Sequence, residues 1–356
     1  MSQLIGAGWL TRRRLLGGLA AAACTAGPRR LGAQTKGPET EAESQSIAIN
    51  ARAIAHFQPG RPDAKRFGDL EFRGGLVLSS PSEHFGGWSG LVMEADGKSL
   101  LSVSDAGAWL RADVAYEGNR PAGLGRARIG ALHALRGRSL RDKREQDAEA
   151  VTLVDGSLER GTLLIGFERV HRIGRFEVRG AEVQPPSEYL RLPVEARRMP
   201  ANQGIEALAV IRAGALRGSV VAFAERFTRG SGYHTGWIWV KGEPHRLQLR
   251  DLDGFDITDA AGLPDGGLLV LERYFRWTTG VSMRIRRLQP DEIRPGARLT
   301  GRIVLAADSG YEIDNMEGIA VHRGARGETI VSLISDDNFN RLLQRTVFLQ
   351  FTLAAT

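Results

Sequence analysis

A short phrase recurs along this chain at nearly constant spacing, and that recurrence limits the fold more than any other feature of the sequence. Its fullest form is Asn315-Met316-Glu317-Gly318-Ile319-Ala320-Val321, with versions at Trp88-Ser89-Gly90-Leu91, Asp147-Ala148-Glu149-Ala150-Val151, Asn202-Gln203-Gly204-Ile205-Glu206-Ala207-Leu208 and Thr258-Asp259-Ala260-Ala261. Aligned on the place of Glu317, the anchors are Ser89, Glu149, Glu206, Asp259 and Glu317, separated by 60, 57, 53 and 58 residues. A period of this size marks a repeat architecture, whose units bury their apolar faces only by stacking on one another.

Within a repeat the pattern is short apolar or alternating runs cut by Gly, Asp and Pro, with no long helical stripe. The third repeat reads as four strands: 206–211, 219–224, 236–240 and 245–249. Asp96-Gly97 and Pro264-Asp265-Gly266-Gly267 supply tight-turn chemistry at hairpin tips. Four strands repeated every ~40–60 residues predict a β-propeller of five to six four-stranded blades. The last repeat has one good strand after its hairpin, 346–351, while 48–57 and 70–78 offer spare strands. An N-terminal strand is therefore expected to complete the C-terminal blade, closing the ring and removing its edges. A large β-sandwich or two β domains is the alternative.

The net charge of +7 invites a nucleic-acid or membrane reading, but residues 1–33 carry five arginines and no acid, which leaves 43 basic against 41 acidic residues beyond them. That segment, with Thr11-Arg12-Arg13-Arg14-Leu15-Leu16, a short run of small apolar residues and Leu31-Gly32-Ala33, reads as a signal peptide of twin-arginine type. Its apolar run is about half the ~20 residues needed to span a bilayer. The expected organisation is a signal at 1–33, a disordered polar linker at 34–46 and one propeller domain at 47–356, with the mature protein periplasmic or secreted. Cys24, the single cysteine, lies inside the signal; it is a weak lipidation candidate, and cleavage after Ala33 removes disulfide, thiol and Cys-zinc chemistry together. The arginine-rich stretch 120–144 lacks interleaved aromatics and reads as a solvated inter-strand excursion. Trp109, Trp237, Trp239 and Trp277 read as core or blade-packing residues. Nucleic acid and a membrane span after signal removal are not expected, and a monomer is.

Residues equidistant from a hairpin turn are neighbours, so Glu149 should meet Glu168, Glu206 should meet Glu225, Asp259 should meet Glu272, and Glu317 should meet Asp336, with Ser89 near Asp105. A ring of carboxylates at one mouth of the central channel follows. Arg169, Arg226 and Arg273 directly follow three of these acids. Crowded carboxylates repel unless they share a proton, a cation or an arginine. Three solutions are open: a hard metal on oxygen ligands, an anionic substrate held by the arginines, or Glu–Arg pairs that only hold the blades together. Gly87-Trp88-Ser89-Gly90 departs from a hydrolase elbow, since Leu91 stands in place of its second glycine.

The segments Phe85-Gly86-Gly87-Trp88-Ser89-Gly90-Leu91, Ser102-Val103-Ser104-Asp105, Asp147-Ala148-Glu149-Ala150, Asn202 to Leu208 and Asp314 to Ala320 together resemble the phytase-like family with esterase-like activity, found among exported bacterial proteins. The resemblance covers roughly residues 70–352. It implies a propeller and a hydrolase of phosphate or carboxylic esters acting on a small molecule. By analogy with propeller phytases, it implies Ca²⁺ on Asp105, Glu149, Glu206, Glu317 and Asp336, substrate contacts from Arg169, Arg226 and Arg273, and catalytic roles for Glu149, Glu206 and Glu317. The chain departs from the phytases in having isolated acids, three of them beside an arginine. A non-catalytic propeller that binds a ligand or partner at the same mouth is the alternative class.

Overall fold

A computed structural model describes residues 44–227 and 232–354. The expected signal peptide and almost all of the linker lie outside the described residues. Each blade begins with a strand at the centre of the ring. Blade 1 is built from Trp88–Met93, Ser99–Ser104, Ala108–Glu117 and Arg120–Ala131, and blade 2 from Ala148–Gly156, Arg160–Phe167, Arg172–Arg179 and Glu182–Tyr189. Blade 3 is built from Ile205–Val210, Val220–Ala224, Tyr233–Val240 and Glu243–Arg250, with Arg298–Leu299 added in parallel at its edge. Blade 4 uses Asp256–Gly262, Leu268–Arg276, Gly280–Leu288 and Arg302–Ala307. Blade 5 starts with Asn315–Arg323, Thr329–Asp336 and Thr346–Leu353, and is finished by Leu70–Ser79 and then Asn50–Ile54. Every inner strand packs on the inner strands of both neighbouring blades, so the ring is closed at five.

Closure takes the expected form. Leu70–Ser79 pairs antiparallel with Thr346–Leu353, from Thr346 opposite Leu78 to Leu353 opposite Leu70. The two chain ends thus share one blade, and the free edge of the 346–353 strand is covered. At the other side of the same interface, Gln45 and Ser46 pair with Ile129 and Arg128. The polar linker therefore enters the sheet two residues before the expected start of order, because an outer edge of blade 1 is available there.

The core is divided among the five blade interfaces. Leu163 and Ile165 face blade 1 with Leu101, Val103 and Trp109, whereas Leu164, between them, faces blade 3 with Leu208 and Trp237. The other three clusters join blades 3 and 4, blades 4 and 5, and blades 5 and 1. Both faces of each middle strand are buried in this way, so those strands read as unbroken apolar runs rather than alternating ones. Trp109, Trp237 and Trp239 are buried as expected, but Trp277 is 69 % exposed. It stands at the tip of a ribbon in which the second and third strands of blade 4 pair on through Arg276 and Gly280. The 120–144 stretch is corrected as well. Its first half is the outer strand of blade 1, where Leu124, Ala127 and Ile129 are buried while Arg126 between them is exposed. No described helix is long and apolar enough to cross a membrane.

Candidate functional site

The inner strand of each blade is interrupted near its start by a β-bulge. The unpaired residues are Gly90, Glu149, Glu206, Thr258 and Glu317. A bulge re-aims its extra residue, and in blades 2, 3 and 5 that residue is the repeated glutamate. The end of the second strand supplies a companion position. Asp105, Glu168 and Glu225 each donate a backbone N–H to the carbonyl of the residue facing them, Gly87, Asp147 and Gly204, at 3.0, 2.8 and 3.0 Å. Asp336 and Arg273 pair with Asn315 and Asp256 at the corresponding places. Four blades thus contribute an acid at this level and the remaining one an arginine.

The expected couples hold in blades 2, 3 and 5. In blade 1 the bulge falls on Gly90, one past Ser89, which pairs with Val103 and turns its hydroxyl to Glu317. In blade 4 the couple fails. There the bulge falls on Thr258, one residue before the expected anchor. Asp259 therefore pairs opposite Leu271 and lies deeper in the channel. It is fully buried. Its oxygens accept the amides of Ile319 and Ala260, both at 2.8 Å, and those of Leu91 and Leu208. Glu272 is displaced in the opposite sense, into the blade, where Arg284 donates to it at 2.5 Å and Arg286 forms a second ion pair. The one-residue slip brings Arg273 to the acidic level instead.

Arg273 is the cationic centre of the mouth. It lies 3.4 Å from Glu317 and 3.8 Å from Glu225, and donates to the Asn315 side chain. Glu317 also accepts from Asn315 Nδ2 at 2.8 Å and from Ser89 Oγ at 3.2 Å. Burial works against the charge of Arg273, but Glu317, Glu225, Asp256 and Glu206 outweigh it and raise its pKa. The other two arginines are engaged at the rim. Arg169 bonds Asp147, and Arg226 donates to Asp256 at 3.0 Å.

The carboxylates themselves are crowded. Asp147, Glu149 and Glu168 each bring an oxygen within 4.8 Å of the others, and so do Glu168, Glu206 and Glu225. Burial pushes Glu149 well above the ordinary carboxylate range, helped by Glu317, Asp147, Asp105 and Glu168. Glu206 moves the same way, through burial and the charges of Glu149, Glu225, Glu168 and Glu317. Asp336 is raised by burial and by Glu317 and Asp105. Glu225 is raised to about 8 by burial and Asp256, against the pull of Arg273. Lys143, on the short helix Lys143–Gln146, bridges Asp105 at 2.6 Å and Asp147 at 2.9 Å.

Of the expected metal residues, Glu149 and Glu206 fall in these two oxygen triplets. Glu317 is shared with Arg273, Asp105 with Lys143, and Asp336 accepts the Asn338 amide at 2.6 Å. Asp147, Glu168 and Glu225 complete the triplets and were outside the expected ligand set. The sequence carries signals for all three: Asp147 stands two residues before Glu149 in the repeated phrase, and Glu168 and Glu225 follow from the hairpin rule. Lys143 had one signal, its i,i+4 spacing to Asp147.

No curated protein matches the sequence. Solved structures similar in shape include the Dos1 propeller, at 7% identity with 81% of this chain and 75% of that chain covered and a TM-score of 0.34. The Cps50 (Swd1) β-propeller domain of Myceliophteria thermophila gives 10% identity over 89% of this chain and 100% of that one, with a TM-score of 0.38. Raptor of Chaetomium thermophilum gives 12% identity over 78% of this chain and 22% of that one, with a TM-score of 0.37. Residues 83–339, well over half of the chain, match the model of one family and enclose the bulged glutamates and their companions. The chain belongs to the phytase-like family, described by the esterase-like activity of phytase.

Proposed function

We propose that the protein is an exported hydrolase of phosphate or carboxylic esters of small molecules, working at the acidic mouth with a divalent cation. The observation that carries this reading is the convergence of Glu149, Glu206 and Glu317 from three blades onto a mouth that also holds Arg273. The donor set fits a hard cation. Two carboxylate triplets share Glu168, one buried throughout and one half-buried at Glu206 and Glu225, and Asp105 Oδ1 is buried without a hydrogen-bond partner. Glu149, Glu206, Glu168 and Asp147 would hold the ion, with Asp105 and Asp336 at the border. An all-oxygen set of this kind favours Ca²⁺. When bound, the cation supplies a lowered pKa for an attacking water and charge stabilisation.

The chain's own residues supply the rest. Arg273 binds the anionic oxygen of the substrate, oriented by Glu317 and Asn315. Without the cation, burial and neighbouring carboxylates hold Glu149 and Glu206 above the usual carboxylate range, and a cation held by them would discharge those protons. The Glu149, Glu206 and Glu317 carboxylates stand where one can take the proton of an attacking water and pass it on to the leaving oxygen. Arg169 and Arg226 act from the rim, through Asp147 and Asp256. Export by the twin-arginine route, to the periplasm or beyond, is supported by Arg12-Arg13 and the apolar run that follows.

A binding propeller without catalysis is the second reading, and Arg273 favours it, because its guanidinium already neutralises Glu317 and Glu225. The two readings part on Glu206→Gln and Glu317→Gln. Each substitution should cut hydrolysis across a panel of simple phosphate and acyl esters by about 100-fold or more. Full hydrolysis by both proteins would sink the catalytic assignment.

A further inference from the structure

A cavity of about 500 Å³ opens on the same end of blade 1 as the acidic mouth. Its walls are continuous with the site. Ala106 and Gly107 follow Asp105 directly, and Gln146 directly precedes Asp147. Ile129, Leu132, Leu140 and Phe339 supply its apolar wall, and Gln45, Glu83, His84, His133, Ser139 and Gln146 supply polar groups around it. A concave space of this size that sets an apolar wall beside polar groups is the form of a small-molecule subsite.

Phe339 marks the boundary between the cavity and the acids. A Cβ on Gly87 would lie 2.6 Å from the Phe339 ring and 2.4 Å from Asp105 Oδ1, so ring and carboxylate meet over one glycine. The loop that delivers the ring is strained: Asn338 and Phe339 have φ of 48° and 51°. A bulky residue in the left-handed region is an outlier that persists only when its surroundings impose it. Here they do. Asp336 accepts the Asn338 amide at 2.6 Å, while Asp337 Oδ1 accepts the amides of Phe339 and Gly87, each at 3.1 Å. The acid that borders the mouth and its neighbour therefore also hold an exposed aromatic ring at the edge of the apolar cavity.

We propose that this cavity receives the apolar part of the substrate, and that the enzyme prefers amphiphilic esters with an aryl or short acyl group next to the anionic head. The inference rests on the mouth as the site of that head, as in the hydrolase reading. The head meets Arg273 and the carboxylates; the apolar group packs on Phe339, Ile129 and Leu132. Phe339 is then a specificity residue, not a catalytic one.

The test is calorimetric binding to the full-length protein in CaCl₂, using benzoate against acetate and phenylphosphonate against methylphosphonate. Burial of a ring predicts that one aryl anion of these pairs binds about ten-fold or more tighter than its methyl partner. Ala131→Trp fills the cavity from an exposed strand position. It should reduce the preference to within about two-fold and leave the methyl anion's affinity unchanged. Phe339→Ala, which keeps the Cβ and so leaves the backbone demand unchanged, should do the same. If the methyl anions bind and the wild type shows no aryl preference, or if Ala131→Trp keeps it, the cavity assignment is wrong while the mouth stands. If none of the four anions binds, the mouth fails as an anion site and the cavity falls with it.

Discussion

At the scale of single residues the site is a problem of unshared charge, and its behaviour with pH follows. Glu225 keeps its proton to about pH 8, through burial and Asp256 against the pull of Arg273, and Glu149, Glu206 and Asp336 shift the same way. A carboxyl whose pKa is higher in the folded than in the unfolded chain makes the folded state bind more protons between the two values. Stability then falls as pH rises. Chelated protein should therefore lose thermal stability steadily from about pH 5 to about pH 8, and a melting temperature that rises across that window contradicts the account. Blade 4 carries the converse case. Glu272 is buried between Arg284 and Arg286, and removing one member of such a group leaves unpaired charge. Glu272→Ala should cost about 3–5 kcal/mol in denaturant unfolding. The local sequence held the glutamates of blades 2, 3 and 5 in plain view, because one phrase repeats around them. It hid the roles of Asp259 and Glu272, because an acid in the right neighbourhood looks the same one residue out of register, and a one-residue slip sends a side chain to the other face.

At the scale of elements, the bulge is the device that converts a repeated hairpin into a site. Its position cannot be read from apolar alternation, which is why the hairpins were legible and the fourth register was not. The same slip gives Asp259 a structural task. One carboxylate accepts amides from the inner strands of blades 1, 3, 4 and 5, so it pins four blades at the axis. Both its oxygens accept, and an amide in its place would turn a donor toward donors. Asp259→Asn should lower unfolding free energy by about 3 kcal/mol while leaving the mouth residues intact. An unchanged denaturation midpoint would show that these hydrogen bonds do not hold the ring. A ring of five also brings inner strands very close. A Cβ on Gly318 would sit 2.9 Å from the Gly90 carbonyl carbon and 2.6 Å from Ile334. Gly318→Ala should therefore cost about 1–3 kcal/mol through overpacking, read in the same denaturation experiment.

At the scale of the molecule, the chain ends decide the blade number. Five phrases mark five inner hairpins, but strands at 50–54 and 70–79 precede the first phrase and look like the start of a sixth blade. Only their pairing with Thr346–Leu353 assigns them to the fifth. Removing residues 44–79 should leave that strand as an open apolar edge and abolish cooperative melting; a truncated protein that melts sharply as a monomer would refute closure by the N-terminal strands. The same closure sets blade 1 against blade 5, where Asp105, Glu317 and Asp336 come together, so the ring and the mouth form as one structure. The most direct test of that mouth is the rate of ester hydrolysis by fully chelated protein as CaCl₂ is added back, with the melting temperature at pH 8 followed on the same samples. Activity and melting temperature should both fall on chelation and rise together with Ca²⁺. Undiminished hydrolysis in chelator, with a melting curve that excess Ca²⁺ does not move, would contradict a cation-assisted site at the acidic mouth.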